Sequence, residues 1–194
     1  MIAKIKGTID ELKPTEVILD VSGVGYGLTI PLSTYEKIQA LKETTLYVYT
    51  HHKEDQFKLF GFVTENERDL FSILLNISGI GPAMAISILS GITVGRLVDA
   101  VQSENIALLT KIPGIGNTKA EKLIFELKRK MKKLTSLAGE SGEPRTHKND
   151  AIEALVTLGF DDAKSSKIVD ELVKKNPNGS IETIIKEALK ILSA

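Results

Sequence analysis

The stretch that decides the fold is IPGIG at residues 112–116, which repeats ISGIG at residues 77–81 after 35 positions. Two glycines that flank one apolar residue allow a turn too tight for a Cβ, while the isoleucine packs between the flanking helices. The apolar positions that keep the same register are Leu74 and Leu109, Ala85 and Ala120, and Ile88 and Leu123. The sequence therefore predicts one helix, turn and helix unit that is built twice.

Each turn leads directly into a second helix, whose first backbone N–H groups have no partner within the helix. These donors, together with the positive end of the helix dipole, favour an anion, and phosphate is the natural one. A single turn of this kind is a weak signal, because any helical bundle can use it. Two copies at a fixed spacing can hold neighbouring phosphates of one strand without reading its bases. The repeat therefore predicts sequence-independent, salt-sensitive DNA binding.

The charge of the chain is balanced overall but not along its length. The 194 residues carry 25 basic and 25 acidic side chains. Residues 1–63 carry 7 basic and 8 acidic groups, residues 64–134 carry 10 and 7, and residues 135–194 carry 8 and 10, so the positive excess falls on the repeat. Because there is no cysteine and no apolar run of the roughly 18 residues that a membrane span needs, we expect a soluble cytoplasmic protein.

Residues 1–63 have a β pattern. Five short runs rich in β-branched and aromatic residues lie at 2–9, 16–21, 26–30, 45–49 and 57–62. One short helix is predicted between the third and fourth runs, from Ser33 to Leu41. Five strands in this arrangement predict a small closed barrel of the OB type. The glycine-rich run at 23–27 is expected to form a bend or bulge in that barrel.

The pattern becomes helical after the barrel. Thr64 and Glu67 have the spacing of a capping box, and Pro82 suits the first position of a helix. Helices are predicted over 83–90, 93–101 and 119–134, the last of which ends in a basic run. Residues 135–149 have the composition of a mobile linker, and residues 150–194 predict a module of three short helices.

A charged loop, HHKEDQ at residues 51–56, separates the last two predicted strands. From the residues alone, the simplest interpretation is a solvated hairpin tip. A metal site at His51 and His52 is disfavoured, because adjacent residues of a strand point to opposite faces and no third histidine is nearby.

The glycine motifs match nucleotide-binding fingerprints only in part. A dinucleotide fingerprint needs a third glycine three positions after the second, and those positions hold Leu28, Met84 and Lys119. No Walker A sequence occurs either. We therefore expect no ATP binding by this chain and no cofactor.

Taken together, these motifs resemble those of the RuvA family of bacterial Holliday-junction-binding proteins. The shared features are tandem helix-hairpin-helix turns at 78–82 and 113–116, the opening with Ile2, Ile5 and Gly7, GVGY at 23–26 and LFGF at 59–62. The resemblance covers essentially the whole chain and implies a multi-domain α+β protein. Its implied parts are a five-stranded OB-fold barrel (1–63), an all-α tandem helix-hairpin-helix domain (64–134), a flexible linker (135–149) and a three-helix UBA-like domain (150–194).

The resemblance also implies a function and partners. It implies a non-catalytic subunit that forms a homotetramer, or an octamer of two tetramers, and holds a four-way junction open and square. The subunit would recruit the RuvB hexameric ATPase for branch migration in recombination and DNA repair, with the RuvC resolvase as a further partner.

The site residues follow from the same resemblance. It assigns DNA-backbone contacts to Ser78, Gly79, Ile80, Gly81, Gly114, Ile115, Gly116, Lys119 and Lys122, an acidic pin to Glu54 and Asp55, and motor contacts to Leu155, Leu158, Gly159 and Phe160. Carboxylates at the point where four DNA arms meet would repel phosphates and so favour a junction over plain duplex. This sequence departs from the family in one respect, because the lysines that often follow the glycines are replaced by Ala83, Asn117 and Thr118.

Two alternatives remain open at the level of sequence. Helix-hairpin-helix DNA repair enzymes also use such turns, but here the helix with Lys128 runs into a linker, which leaves no room for an enclosing base pocket. A generic OB-fold adaptor would need stacking aromatics across the barrel face, and the chain has 4 Tyr, 6 Phe and no Trp. Base excision on damaged duplex would favour the first alternative, and tight binding to single strands the second.

Overall fold

The computed structural model describes residues 1–54, 56–131, 134–135, 137, 147–176 and 180–192. They belong to two compact units, Met1–Ser141 and Gly142–Ala194. The strands are β1 (Lys4–Lys13), β2 (Glu16–Val21), β3 (Val24–Thr29), β4 (Glu43–Lys53) and β5 (Gln56–Phe62). The helices are α1 (Leu32–Ile38), α2 (Glu65–Leu75), α3 (Pro82–Gly91), α4 (Val94–Gln102), α5 (Ile106–Leu109), α6 (Asn117–Arg129), α7 (His147–Thr157), α8 (Asp162–Lys175) and α9 (Ile181–Leu192).

The five strands close into a barrel, as the sequence predicted, and their order in it is β1-β2-β3-β5-β4. The first half of β1 pairs with β4 and the second half with β2, and the register shifts at a bulge between Ile9 and Glu11. A bulge bends a strand and increases its twist, which allows one strand to serve two neighbours. This is why β1 continues to Lys13, beyond the predicted end at Ile9. The parallel pair of β3 and β5 completes the barrel.

Two glycine positions in the barrel have distinct structural causes. The chain reverses between β2 and β3 at Ser22 and Gly23, whose φ angles are 55° and 88°, so the turn occupies only the start of the predicted bend. Gly25 and Gly27 instead lie inside β3. At Gly7 a Cβ would stand 2.5 Å from the carbonyl oxygen of Asp20, so β1 and the end of β2 approach too closely for any other residue.

One aromatic cluster joins the barrel to the helices that follow. The ring of Phe71 on α2 lies 4.9 Å from that of Phe60, 5.0 Å from that of Phe62 and 5.2 Å from that of Tyr49, centroid to centroid. Because Tyr49 is on β4 and both other partners are on β5, the first helix packs directly on these two strands. The predicted capping box of α2 is present, with Thr64 Oγ1 accepting from Glu67 N–H and the Glu67 carboxylate accepting from Thr64 N–H.

Helix α6 ends earlier than the sequence predicted. Lys130 leaves helical geometry at φ −107° and ψ 16°, so α6 stops at Arg129 rather than continuing to Leu134. Beyond this break Leu134 is fully buried in the core of the helical region, and Leu137 packs against the same core. The side-chain amide of Asn66 donates to the carbonyl of Leu137 at 3.0 Å. Part of the segment predicted as a linker is therefore packed on the first unit.

The second unit is a three-helix module, α7 to α9. Its buried core is formed by Ala151, Leu155, Val169, Leu172, Ile184 and Ala188. Helix α7 begins at His147, within the predicted linker, while residues 138–146 lie outside the described part of the chain. No single described helix is long and apolar enough to span a membrane, and α3 and α4 reach that length only as a pair, across a bend of 94°.

Candidate nucleic-acid interface

The two glycine turns have the same backbone conformation. The first glycines, Gly79 and Gly114, have φ angles of 92° and 87°. The second glycines, Gly81 and Gly116, have φ angles of −94° and −90°, each with ψ at 175°. The sequence repeat therefore corresponds to two turns of the same backbone geometry, one between α2 and α3 and one between α5 and α6.

The isoleucines of the two turns belong to their internal framework. The side chains of Ile80 and Ile115 are buried, at 8% and 4% exposure. Their N–H groups donate within the turn, from Ile80 to the carbonyl of Ile77 at 3.0 Å and from Ile115 to that of Ile112 at 3.1 Å. A ligand would therefore meet these turns through other N–H groups, although the sequence prediction included both isoleucines among the contacts.

Those other donors lie at the starts of α3 and α6. Gly81 and Gly116 are the N-caps, and neither helix has a side-chain cap. The first helical bonds are donated by Ala85 and Ala120. Among the described residues, the N–H groups between each N-cap glycine and that alanine have no acceptor. Because residue 82 is proline, the first turn has one donor fewer than the second. Each turn thus presents a small group of N–H donors at the positive end of a helix.

The second glycine of each turn is not required by the fold itself. The φ and ψ angles of Gly81 and Gly116 are accessible to any residue, and a Cβ at either position would meet no other part of the described chain within 4 Å. Gly79 and Gly114 differ, because their positive φ strains any side chain. Glycine at the second position therefore keeps space open beside the donors, which is what a bulky anion needs.

The two turns are joined through α3. A Cβ at Gly114 would stand 2.9 Å from Cε of Met84, so that side chain packs on the second turn. The hydroxyl of Ser87 donates to the carbonyl of Pro113 at 3.0 Å. Ile112 packs beside Gly91 at the end of the same helix. Sequence reasoning did not single out Met84 or Ser87, although a serine within the apolar run of α3 was the available signal.

The basic side chains near the second turn have different surroundings. Lys119, on the first turn of α6, donates to the carbonyl of Gly114 at 3.2 Å, which places its charge directly at the hairpin. Lys122 lies one turn later and is exposed. Lys128 pairs with Glu104, and the pKa of that carboxyl is lowered, first by the hydrogen bond from Lys128 and then by its charge. Lys119 and Lys122, the two lysines assigned to DNA contacts, are therefore both exposed to solvent.

The predicted pin is the turn of the β4–β5 hairpin. The last pairs of its ladder are His51 with Lys58, His52 with Phe57 and Lys53 with Gln56. Glu54 is exposed at the turn, and Asp55 lies outside the described residues. Within the described part of the chain, no group of three His, Cys, Asp or Glu residues could hold a metal ion.

The four residues assigned to a motor contact are not equally accessible. Leu155 is fully buried in the core of the second unit, and Phe160 packs against that core. Leu158 is 61% exposed and Gly159 has a φ of 97°, so the chain turns sharply just where a large apolar side chain faces solvent. Among these residues, Leu158 offers the most exposed apolar side chain for a contact with a partner.

Comparison with known proteins agrees with this architecture. The family model described as the RuvA N-terminal domain matches residues 1–61, a SAM-like helix-hairpin-helix tandem matches 71–129, and the RuvA C-terminal domain matches 146–193. A protein of Syntrophotalea carbinolica is 41% identical over 196 residues, which are 99% of each chain. This chain belongs to the RuvA family. RuvA proteins of Geobacter metallireducens and Flavobacterium psychrophilum are 41% and 38% identical, over 99% of this chain.

These RuvA relatives carry one name, "Holliday junction branch migration complex subunit RuvA". The match to the helix-hairpin-helix tandem ends at Arg129, which is also the last residue of α6. The RuvA C-terminal match begins one residue before α7. The boundaries of these two family models therefore follow the elements of the structure closely at these two points.

Proposed function

We propose that this chain binds four-way junction DNA as a non-catalytic subunit and recruits a hexameric ATPase of the RuvB type for branch migration. The observation that carries the proposal is the pair of N–H donor groups at Gly81 and Gly116, with matching backbone geometry on one rigid helical region. The names of the relatives supply the kind of DNA and the process.

The donor groups suit the DNA backbone. Each group can donate to one phosphate at a helix N-terminus, and neither offers a side chain that reads a base edge. The exposed Lys119 and Lys122 add positive charge beside the second turn. With Ala83 in place of a lysine at the first turn, main-chain N–H groups are the principal donors there.

The acidic turn provides selectivity. Strands β4 and β5, which flank the turn with Glu54, pack on α2 through Phe71, so this turn belongs to the same unit as the phosphate-binding turns. Carboxylates repel nearby phosphates. A continuous duplex would hold its phosphates close to these carboxylates, so the repulsion would lower its affinity. At an open crossover the arms diverge, which leaves room for the acidic groups. Attraction and repulsion together favour the junction.

Assembly and partners complete the proposal. Four copies would surround one crossover, as a homotetramer or as an octamer of two tetramers, and the RuvC resolvase would act on the same junction. The C-terminal module would contact the ATPase through the surface around Leu158. The chain contains no Walker A sequence, so we assign the ATPase activity to the partner.

A gel-shift comparison tests the proposal. We expect the affinity for a four-way junction to exceed that for duplex of equal length, and to fall steeply as salt rises, by a log–log slope of about 0.9 for each phosphate that is neutralised. The mass of the complex in solution, with and without junction, should correspond to four or eight copies. Equal affinity for junction and duplex would contradict the proposal.

Neutralising the pin should relax selectivity. For the double variant Glu54→Gln and Asp55→Asn we expect higher affinity for plain duplex and a smaller ratio of junction to duplex affinity, because phosphates are no longer repelled. A control for the loss of one negative charge elsewhere is Glu11→Gln, on β1, where the carboxylate pairs with Lys13. Unchanged discrimination in the pin variant would remove this role from the two residues.

A further inference from the structure

The β4–β5 hairpin carries a large aromatic side chain in solvent. Phe57 is 61% exposed, although it lies two residues before Leu59, which is 7% exposed and belongs to the barrel core. Alternate residues of a strand point to the same face, so Phe57 continues the core-facing row of β5 beyond the end of the barrel. Its ring lies three residues from Glu54, on the hairpin that forms the pin.

The neighbour of Phe57 across the hairpin is another ring. His52 is its partner in the ladder, and the two ring centroids are 6.2 Å apart with an interplanar angle of 69°. Such an edge contact orients an aromatic ring without covering it. Phe57 therefore has a fixed attachment on one side and remains mostly open to solvent.

The other face of this hairpin has different chemistry. Lys53 and Lys58 lie on it, because they alternate with His52 and Phe57 along the two strands. On the same face, the ring of His51 contacts those of Tyr49 and Phe60, which attaches the hairpin to the aromatic cluster around α2. The hairpin thus presents an aromatic face, a basic face and a carboxylate at its turn.

The carboxylate limits what the aromatic face can bind. A phosphate near Phe57 would be repelled by Glu54, whereas the face of a nucleobase carries no charge and is not. Base stacking on an aromatic side chain contributes about 1–3 kcal/mol per base and tolerates any sequence. Bases with a free face occur in DNA where base pairs are interrupted, as at the crossover of a junction.

We propose that Phe57 stacks on a nucleobase at the crossover, on the basis of the function proposed above. The pin then has two complementary parts, because its carboxylates exclude phosphates while Phe57 accepts a base face. Phe57 becomes a residue that determines specificity for a junction, since a continuous duplex offers no free base face.

A single tryptophan can report this contact. The chain contains no Trp, so Phe57→Trp introduces a unique fluorophore whose emission is quenched by stacking on a base. Phe125→Trp is the matched control, because Phe125 is 62% exposed but lies on α6, more than two helical turns beyond Gly116. We expect saturating junction to quench Phe57→Trp by at least about half, duplex to quench it much less, and Phe125→Trp to change little with either.

Affinity supplies the second measurement. Phe57→Leu keeps an apolar side chain but removes the π face, and should lower junction affinity by about 5- to 140-fold, since stacking is worth about 1–3 kcal/mol. Phe57→Tyr should stay within about threefold of the unchanged chain, and duplex affinity should be the same for all three. These comparisons separate stacking from simple burial of apolar surface.

Three results would overturn the inference. One is unchanged Phe57→Trp emission in samples whose gel shift shows bound junction. Another is blue-shifted emission of the protein alone that is lost on dilution, which would assign the ring to a contact between copies of this chain. The third is equal affinity of the unchanged chain for junction and duplex, which would remove the proposed function and this inference together.

Discussion

Replacing both Gly81 and Gly116 with aspartate is expected to lower junction affinity by at least about 100-fold without loss of stability. The backbone at both positions has the extended geometry of an N-cap, where an Asp side chain accepts from the first N–H groups of the helix. The new carboxylates would occupy the donors and repel phosphate. Hydrogen bonds to charged groups contribute about 1.5–3 kcal/mol each, and two of them account for such a loss.

Gel shifts with a four-way junction and urea unfolding check this prediction together. The double variant Gly81→Asn and Gly116→Asn is the first control. Its side chains would accept from the same N–H groups without adding charge, so it should lose less junction affinity than the aspartate variant. Gly79→Ala and Gly114→Ala are controls for stability, because unlike the aspartate variants they are expected to destabilise the fold. Their positive φ should cost about 1–2 kcal/mol of unfolding free energy each. Junction affinity that survives the aspartates would show that the DNA contacts lie elsewhere.

Ending the chain at Ser141 is expected to leave junction binding unchanged and to abolish stimulation of a RuvB-type ATPase. The division into two units places the barrel and both glycine turns before this point and the α7 to α9 module after it. The rate of ATP hydrolysis by the partner, in the presence of junction and either form of this chain, measures the effect. A truncated chain that still stimulates fully would contradict the proposed role of the second unit.

The position of the truncation matters. Ending at Leu134, where the sequence places the end of the helical domain, would remove Leu137 and its hydrogen bond with Asn66 and should cost about 1 kcal/mol of stability. Within the full chain, Leu158→Ala should reduce stimulation because that side chain is exposed. Leu155→Ala should instead unfold the module, since a buried leucine contributes about 2–5 kcal/mol.

The architecture was largely readable from the sequence because its signals are local. A φ near 90° strongly favours glycine, so Gly79 and Gly114, at 92° and 87°, mark their turns. The capping box at Thr64 and the proline at the start of α3 fix where two helices begin. Five β-rich runs were enough to predict a closed barrel, because so small a set of strands leaves few arrangements.

The details that the sequence did not reveal depend on contacts between distant segments. Ser87 could be placed on its helix, for example, but not its hydrogen bond to the carbonyl of Pro113 in the second turn. The alternation of β5 predicts which way Phe57 points, yet only the barrel's closure shows that nothing described covers it. Leu137 lies in a polar segment by composition, and its packing depends on where α6 ends.

The link between the glycine turns through Ser87 and Met84 bears on how DNA would move over this surface. Because the two turns are held together and, on the proposed function, would contact only backbone atoms of the DNA, each position of a strand on them would have the same energy, repeating once per nucleotide. A strand pulled by a motor would cross a row of equal, low barriers whatever its sequence. The protein would then guide translocation without favouring any stopping point along the DNA.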